Sequence, residues 1–335
     1  MKHCRSILSV LTVLFLSCSA ERNDVVISGQ FLGEHPEELW YTLPVNGNSF
    51  EGFVKSEKPD SSGRFSIRVN VDEPALIDFL YLGSPSLIIE PGSNYEISLS
   101  LNTDNILEIG GNPGEAQKLY SGFSHQHPMS CLYSYGEEFT NYHSIRQKLN
   151  DDLSNEISAL NELHQISGDV LNLLVTDRKI YYYTAQSVLA SRNHLDRVSD
   201  NKGVPDDIFS IWSEAAYGVP MDSRHILNSP YSWDYLQMYL WYRIYTYFDF
   251  DEFRKMRAER RADRTIHAHN IELAREFLPD NVIEFFIAGS FYHQYMRREY
   301  DNGLLNIFEQ FKLDFPESKY LTFVERTVEE MIENQ

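Results

Sequence analysis

Two regimes of apolar spacing divide this chain. Between Val25 and about Gly111, apolar residues come in short β-prone runs broken by turn residues. Val25 to Phe31 and Leu39 to Leu43 are such runs. Arg64 to Val71 alternates polar and apolar strictly, as a strand with one wet face does. Ser61-Ser62-Gly63 ahead of it is turn chemistry. Leu76 to Tyr81 and Leu87 to Glu90 follow, and Pro91-Gly92 then forms the recipe of a type II turn, with Pro fixing φ and Gly permitting a left-handed residue. Tyr95 to Leu101 alternates again. Closely spaced short strands predict a small antiparallel sandwich or open barrel over residues 25–111.

The period changes at Gly110-Gly111-Asn112-Pro113-Gly114. Beyond it apolar residues recur at helical spacing. The predicted helices are Tyr142 to Ile166, Val170 to His194, Asp207 to Tyr217, Ser232 to Phe248, Asp251 to Ala262, Ile266 to Phe277, Val282 to Tyr300, Leu304 to Phe311 and Tyr320 to Glu333. Gly168, Gly203-Val204-Pro205, Pro220, Pro230, Pro279, Gly303 and Pro316 separate them. The expected fold class is therefore α+β and multidomain: a β-sandwich-like domain at 25–111, then an all-α domain at 112–335.

The first residues follow neither pattern. Lys2 and Arg5 precede an apolar stretch from Ile7 to Leu16. That stretch falls short of the roughly 20 residues needed to span a bilayer, so residues 1–17 read as a secretory signal peptide. Phe15-Leu16-Ser17-Cys18 resembles a bacterial lipobox, with Phe15 where Leu is usual. Cys18 is accordingly the predicted lipidation site, and 18–24 a tether. The alternative is an ordinary secretory signal with a chance cysteine. Lipidation predicts a protein held on a membrane of the cell envelope, the outer membrane first among them.

Composition narrows the function. The chain has 335 residues, with 29 Lys plus Arg against 49 Asp plus Glu and a formal charge of −20. Such a surface repels phosphate backbones, which argues against a nucleic-acid partner. Three cysteines leave no disulfide framework. Once Cys4 departs with the signal and Cys18 carries lipid, Cys131 is the remaining thiol, and dithiol redox chemistry within the chain is excluded.

Individual motifs point to chemistry weakly. His125-Gln126-His127 and His267-Ala268-His269 are spaced i, i+2, which on a helix points the rings about 200° apart and on an extended segment puts them on one face. Neither reads as a metal site, even with His143 as a third ligand, and no cofactor is expected. Gly110 to Gly114 lacks the Gly-Lys-Ser/Thr ending of a phosphate loop. Asp249 with Glu252 fits a capping box better than a calcium loop. Arg254, Lys255, Arg257, Arg260, Arg261 and Arg264 form a basic run. Of these, Arg254, Arg257, Arg260 and Arg261 are candidate contacts for an anion or an acidic partner, against a solvated helix face in which Glu252, Glu259 and Asp263 pair with them. Tyr231 to Phe248 carries aromatics on every side. A buried central helix is the plainer reading, and a ligand groove at Trp233, Trp241 and Tyr242 is the functional one.

Several segments together resemble the N-terminal two-thirds of Bacteroidetes envelope lipoproteins that end in a thioredoxin-like domain. They are the lipobox at Cys18, the opening Ile27-Ser28-Gly29 strand and Leu87-Ile88-Ile89-Glu90-Pro91-Gly92 with the strand after it. Ile109-Gly110-Gly111 leading into a helix at Glu115, and Phe311 to Tyr320, complete the set. In that family a Cys-x-x-Cys motif on the thioredoxin fold carries the redox activity. This chain has no Cys-x-x-Cys, so no residue here inherits that role. The resemblance implies a non-enzymatic, lipid-anchored binding or accessory module, with a separately encoded thioredoxin-like protein as one expected envelope partner. An envelope enzyme of hydrolase type, with its site between the two domains, is the competing expectation. A truncated relative without independent activity is the third.

Overall fold

The computed structural model describes residues 23–80, 86–100, 108–110, 114–135, 141–199 and 206–334. The predicted leader, Cys18 and most of the tether lie outside the described residues, as do Gly111 to Pro113. The architecture is α+β: three small sheets followed by an all-α region.

The strands are β1 (Asp24–Phe31), β2 (Leu39–Thr42), β3 (Val54–Glu57), β4 (Arg64–Asn70), β5 (Ala75–Asp78), β6 (Ser86–Ile89), β7 (Asn94–Leu99) and β8 (Glu108–Gly110). Four of them form one sheet in the order β4-β1-β7-β8, while β2 pairs with β3 and β5 with β6. In β4 the alternation read from the sequence becomes strict: Phe65, Ile67 and Val69 point inward between exposed neighbours. Both foreseen turns form. Asp60 Oδ1 accepts from Ser62 N and Arg64 N while Gly63 takes φ +76°. Ser93 N donates to Glu90 O across Pro91-Gly92, with Gly92 at φ +72°. Most pairings are antiparallel, but β1 runs parallel to β7 in register Ile27↔Tyr95. Gly29 is required in that central strand, because a Cβ there would sit 2.2 Å from the Phe65 ring.

The helices are α1 (Gly114–Ser121), α2 (Pro128–Cys131), α3 (Tyr142–Asn161), α4 (Gly168–Ser199), α5 (Asp206–Ala216), α6 (Ser232–Tyr247), α7 (Phe250–Ala262), α8 (Ile266–Phe277), α9 (Asp280–Arg297), α10 (Leu304–Asp314) and α11 (Leu321–Glu333). Asp249 caps α7 by accepting from Asp251 N and Glu252 N. The all-round aromatic pattern of α6 becomes burial: Trp233, Tyr235, Leu236, Tyr239, Leu240 and Ile244 lie in the core. Tyr235 keeps its buried hydroxyl satisfied by accepting from Val219 N (3.0 Å) and donating to Ala216 O (2.8 Å). No helix among the described residues is long and apolar enough to cross a membrane.

The sheets dock on the helices through apolar and polar contacts. Phe50, from the loop between β2 and β3, inserts beside Tyr320 (4.9 Å between ring centroids) and Phe285 (6.1 Å), and Phe53 lies 4.0 Å from Phe323. Asn48 donates to the Tyr320 hydroxyl at 2.6 Å. Gln117 of α1 accepts from Ile88 N and donates to Ser86 O, each at 2.8 Å, so it completes the edge of β6. Glu73 receives Arg224 and Asn228 at 3.1 Å each. A cleft remains along this seam.

Candidate functional site

The seam cleft has a volume of about 280 Å³ and is lined by residues from both regions. Thr42 comes from the end of β2, Asp78 from the end of β5 and Ser86 from the start of β6. Glu51 hangs from the loop after β2. His125 and His127 come from the turn between α1 and α2, Tyr231 from the residue before α6, and Tyr292 from α9.

Its ionisable groups perturb one another. Burial pushes the Asp78 carboxyl up to about 6; the buried Asp177 carboxylate adds to this, and hydrogen bonds from Ser86 and Thr42 oppose it. Burial, followed by repulsion from Asp234 and Asp78, pushes Glu51 up to about 7. His127 Nε2–H donates to Asp234 Oδ2 at 3.0 Å while its Nδ1 accepts from Met129 N, and the contact with Asp234 raises the His127 pKa. His293 stacks on Trp233 with centroids 3.5 Å apart and faces Glu51 at 3.8 Å; burial pushes it down to about 4. His125 contacts Tyr120 O through Nε2 at 2.8 Å, and its buried Nδ1 has no partner among the described residues. Behind the cleft, Asp177 accepts from Ser229 (2.6 Å) and Tyr120 (2.9 Å), and Arg178 is held by Glu156 at 2.6 Å. Among the described residues the lining contains no Lys or Arg. Its acids therefore lack a fixed counter-cation, which is the physical reason that burial wins over ionisation there.

This arrangement can exchange protons near neutral pH and can accept a cation. Among the described residues no group of three His, Cys, Asp or Glu side chains is placed to hold a metal ion. The His125/His127 pair does share one cavity, as the extended alternative requires. His267 and His269 diverge, facing Glu299 and Glu272 respectively, each at 3.3 Å. Glu51, Asp78 and His293 were not singled out from the sequence. They lie far apart along the chain, and only the docking of sheet on helix brings them together.

The predicted arginines and aromatics fall elsewhere. Arg254, Arg257 and Arg261 line a second pocket with Trp241. Arg260 is exposed and absent from that lining. Trp233 is 8% exposed, lies parallel to Phe286, and donates Nε1–H to Phe286 O at 3.3 Å, so it packs in the core. Tyr242 packs against Trp212 and Tyr217, outside the pocket lining. Cys131 is buried, and its thiol donates to Pro128 O. A wider polar basin of about 790 Å³, lined by Arg264, Tyr295, Met296 and Arg298 among others, gathers no set of converging acids or histidines.

Comparison with protein-family models, with curated proteins and with solved structures finds no match to this chain.

Proposed function

We propose that this is a lipid-anchored cell-envelope protein that acts by binding, and that the seam cleft is its ligand site for a small organic ammonium. The observation that supports the ligand class is the pair Glu51 and Asp78, acids drawn into a shared cavity that has no Lys or Arg in its lining. An entering ammonium supplies the missing charge, and the Tyr231 and Tyr292 rings add the attraction of aromatic faces for cations. Such binding expels the proton that Asp78 or Glu51 holds. The envelope assignment rests on the leader and on Cys18. The accessory role beside a separately encoded thioredoxin-like protein rests on the resemblance.

The test is titration calorimetry of the mature protein with choline and with 1,4-diaminobutane, in two buffers of different ionisation enthalpy. Binding with proton release is expected for at least one of them, and loss of both in the Asp78→Asn/Glu51→Gln double variant. No heat with either ligand, or equal heat in that folded double variant, removes the ammonium reading. For the anchor, Cys18→Ala is expected to release the protein from membranes, and its retention there removes the lipoprotein reading.

A second reading has a specific observation in its favour. Two carboxyls displaced to about 6 and about 7, beside a His127–Asp234 pair, are matched to general acid–base work at neutral pH. It makes the protein an envelope enzyme with its site between the two regions. Turnover of a bound ligand, abolished by Glu51→Gln with binding retained, would favour it over simple recognition.

A further inference from the structure

The second pocket carries an inference that does not rest on the seam cleft. It lies between α4, α6 and α7 and has a volume of about 530 Å³. Ser191 and Leu195 come from α4. Met238, Trp241 and Tyr245 come from α6, and Phe250, Phe253 and Ala258 from α7 with its immediate surroundings.

Arg254, Arg257 and Arg261 stand at i, i+3 and i+7 on α7, and that spacing puts all three on one helix face toward the pocket. The Arg257 guanidinium sits 4.4 Å from the centroid of Trp241 and 5.6 Å from that of Phe253. Its polar contact is the Asn270 side-chain oxygen at 3.4 Å. Among the described residues no carboxylate lies within ion-pair distance of Arg257 or Arg261, and Arg254 has only the exposed Asp251 at 3.9 Å. The chain carries 49 acids to 29 bases, yet among the described residues none of those acids pairs with the partly buried Arg257. A stripe that leaves two of its three guanidiniums unneutralised runs against that excess. Burial and the neighbouring Arg261 charge together lower Arg257 to about 10, the mark of a cation lacking a counter-charge.

The rest of the pocket is apolar and flat. Trp241 and Tyr245 lie 5.8 Å apart at 26°, and Tyr245 and Phe250 6.1 Å apart at 24°, so three rings form a nearly parallel wall. Behind it His194 is buried with both ring nitrogens unpaired, and burial keeps it neutral. It therefore adds no charge to compete with the arginines. A bare inorganic anion would occupy little of such a volume and would leave the ring wall wet.

We propose that this pocket binds an amphipathic carboxylate, its apolar body lying on the Trp241–Tyr245–Phe250 wall and its head group received by Arg257 and Arg261, with Arg254 at the rim. The overall negative charge screens out polyanions, whereas a single carboxylate on an apolar body meets only the local arginines. A guanidinium over an indole face is attracted by the ring and still has N–H groups to offer an incoming carboxylate.

The probe is dansyl-labelled undecanoic acid, compared with its methyl ester, which has the same body without the charge. Binding is followed by dansyl emission and by energy transfer from tryptophan. The acid should bind at least about tenfold more tightly than the ester, a gap that corresponds to about 1.4 kcal/mol. Arg254→Gln/Arg261→Gln alters exposed side chains and should fold normally by circular dichroism. It should weaken the acid at least about tenfold and leave the ester unchanged. Trp241→Leu should weaken both. Equal affinity for acid and ester, undiminished binding of the acid by the double arginine variant, or no binding of either probe would overturn the proposal.

Discussion

Replacing Asp78 by Asn should make this protein more stable at alkaline pH and leave it unchanged at acid pH. In the folded state the Asp78 carboxyl titrates at about 6 instead of an ordinary 3.8, chiefly because it is buried. A raised carboxyl pKa means that folding favours the neutral acid. The group's contribution is complete below pH 3.8 and is lost as pH rises through about 6. At about 1.36 kcal/mol per unit, the displacement sets an upper limit of about 3 kcal/mol on what an ionised Asp78 costs the fold at pH 8. The cleft is open to solvent on one side, and water screening there brings the expected cost down to about 1–2 kcal/mol.

Asparagine keeps the shape and keeps the oxygen that accepts from Ser86 at 2.5 Å, but it cannot ionise. Urea unfolding of both proteins, followed by tryptophan emission at about pH 3 and about pH 8, isolates the difference. His125 and His293 titrate in both proteins and cancel, leaving Asp78 with its coupling to Glu51 and its repulsion from the Asp177 carboxylate. The variant should gain about 1–2 kcal/mol at the higher pH and nothing at the lower one. A variant less stable than wild type at pH 8, or a gap that does not change with pH, would refute the reasoning. The same substitution should abolish stabilisation by an ammonium ligand, so stability gained at this residue is recognition lost.

Other perturbations test the packing and the titrating groups. Gly289→Ala places a Cβ 2.3 Å from Trp233 Cδ1, and Trp233 is wedged between Phe286 and His293. Overpacking there should outweigh the gain in helix propensity and lower stability by about 1–2 kcal/mol in urea unfolding, and a neutral or stabilising result would show that Trp233 can yield. Asp249→Ala removes the acceptor for Asp251 N and Glu252 N and should lower stability by about 1 kcal/mol, checked by a shift in the thermal midpoint. His293 should remain neutral by NMR until about pH 4, because burial depresses its pKa. Its share of the stability is complete above about 6.5 and falls away with acidification through 4, so an NMR midpoint near 6.5 would contradict the observed stacking on Trp233.

Much of the fold was legible because it is written in local periodicity. The α7 to α11 helices lie within a few residues of their expected bounds, since Pro279, Gly303 and Pro316 break the pattern where the backbone breaks. The strands β3 and β8 gave no clear signal: Val54-Lys55-Ser56-Glu57 is too polar, and Glu108-Ile109-Gly110 too short. The parallel pairing of β1 with β7 is likewise silent in sequence, because an alternating strand looks the same whichever way its neighbour runs. The short α2, capped by His127, was missed because its four residues hold too few positions to show a period. Trp233 and Trp241 could not be told apart by spacing. They are eight residues apart on one helix, yet Trp233 faces α9 and Trp241 faces α7.

The two sites differ in legibility for a physical reason that also bears on their roles. The arginine stripe is local: three residues on one helix share a face by the geometry of that helix alone, so the sequence already suggested an anion contact. The seam cleft is assembled from residues as distant as Thr42 and Tyr292 and has no local pattern. Both differ from the pairing seen at Arg178 and Arg224. Arg178 has Glu156 and Asp177, and Arg224 has Glu73 and Asp169. Among the described residues Glu51 and Asp78 face no arginine or lysine, and Arg257 and Arg261 face no carboxylate. An acidic protein could have satisfied those two arginines from its own surplus, and the uncompensated acids could have been neutralised by one basic substitution. Acids and arginines left without counter-charges in their cavities, in a fold that sets two carboxylates beside Arg178, favour ligands as the missing partners over slack in the packing.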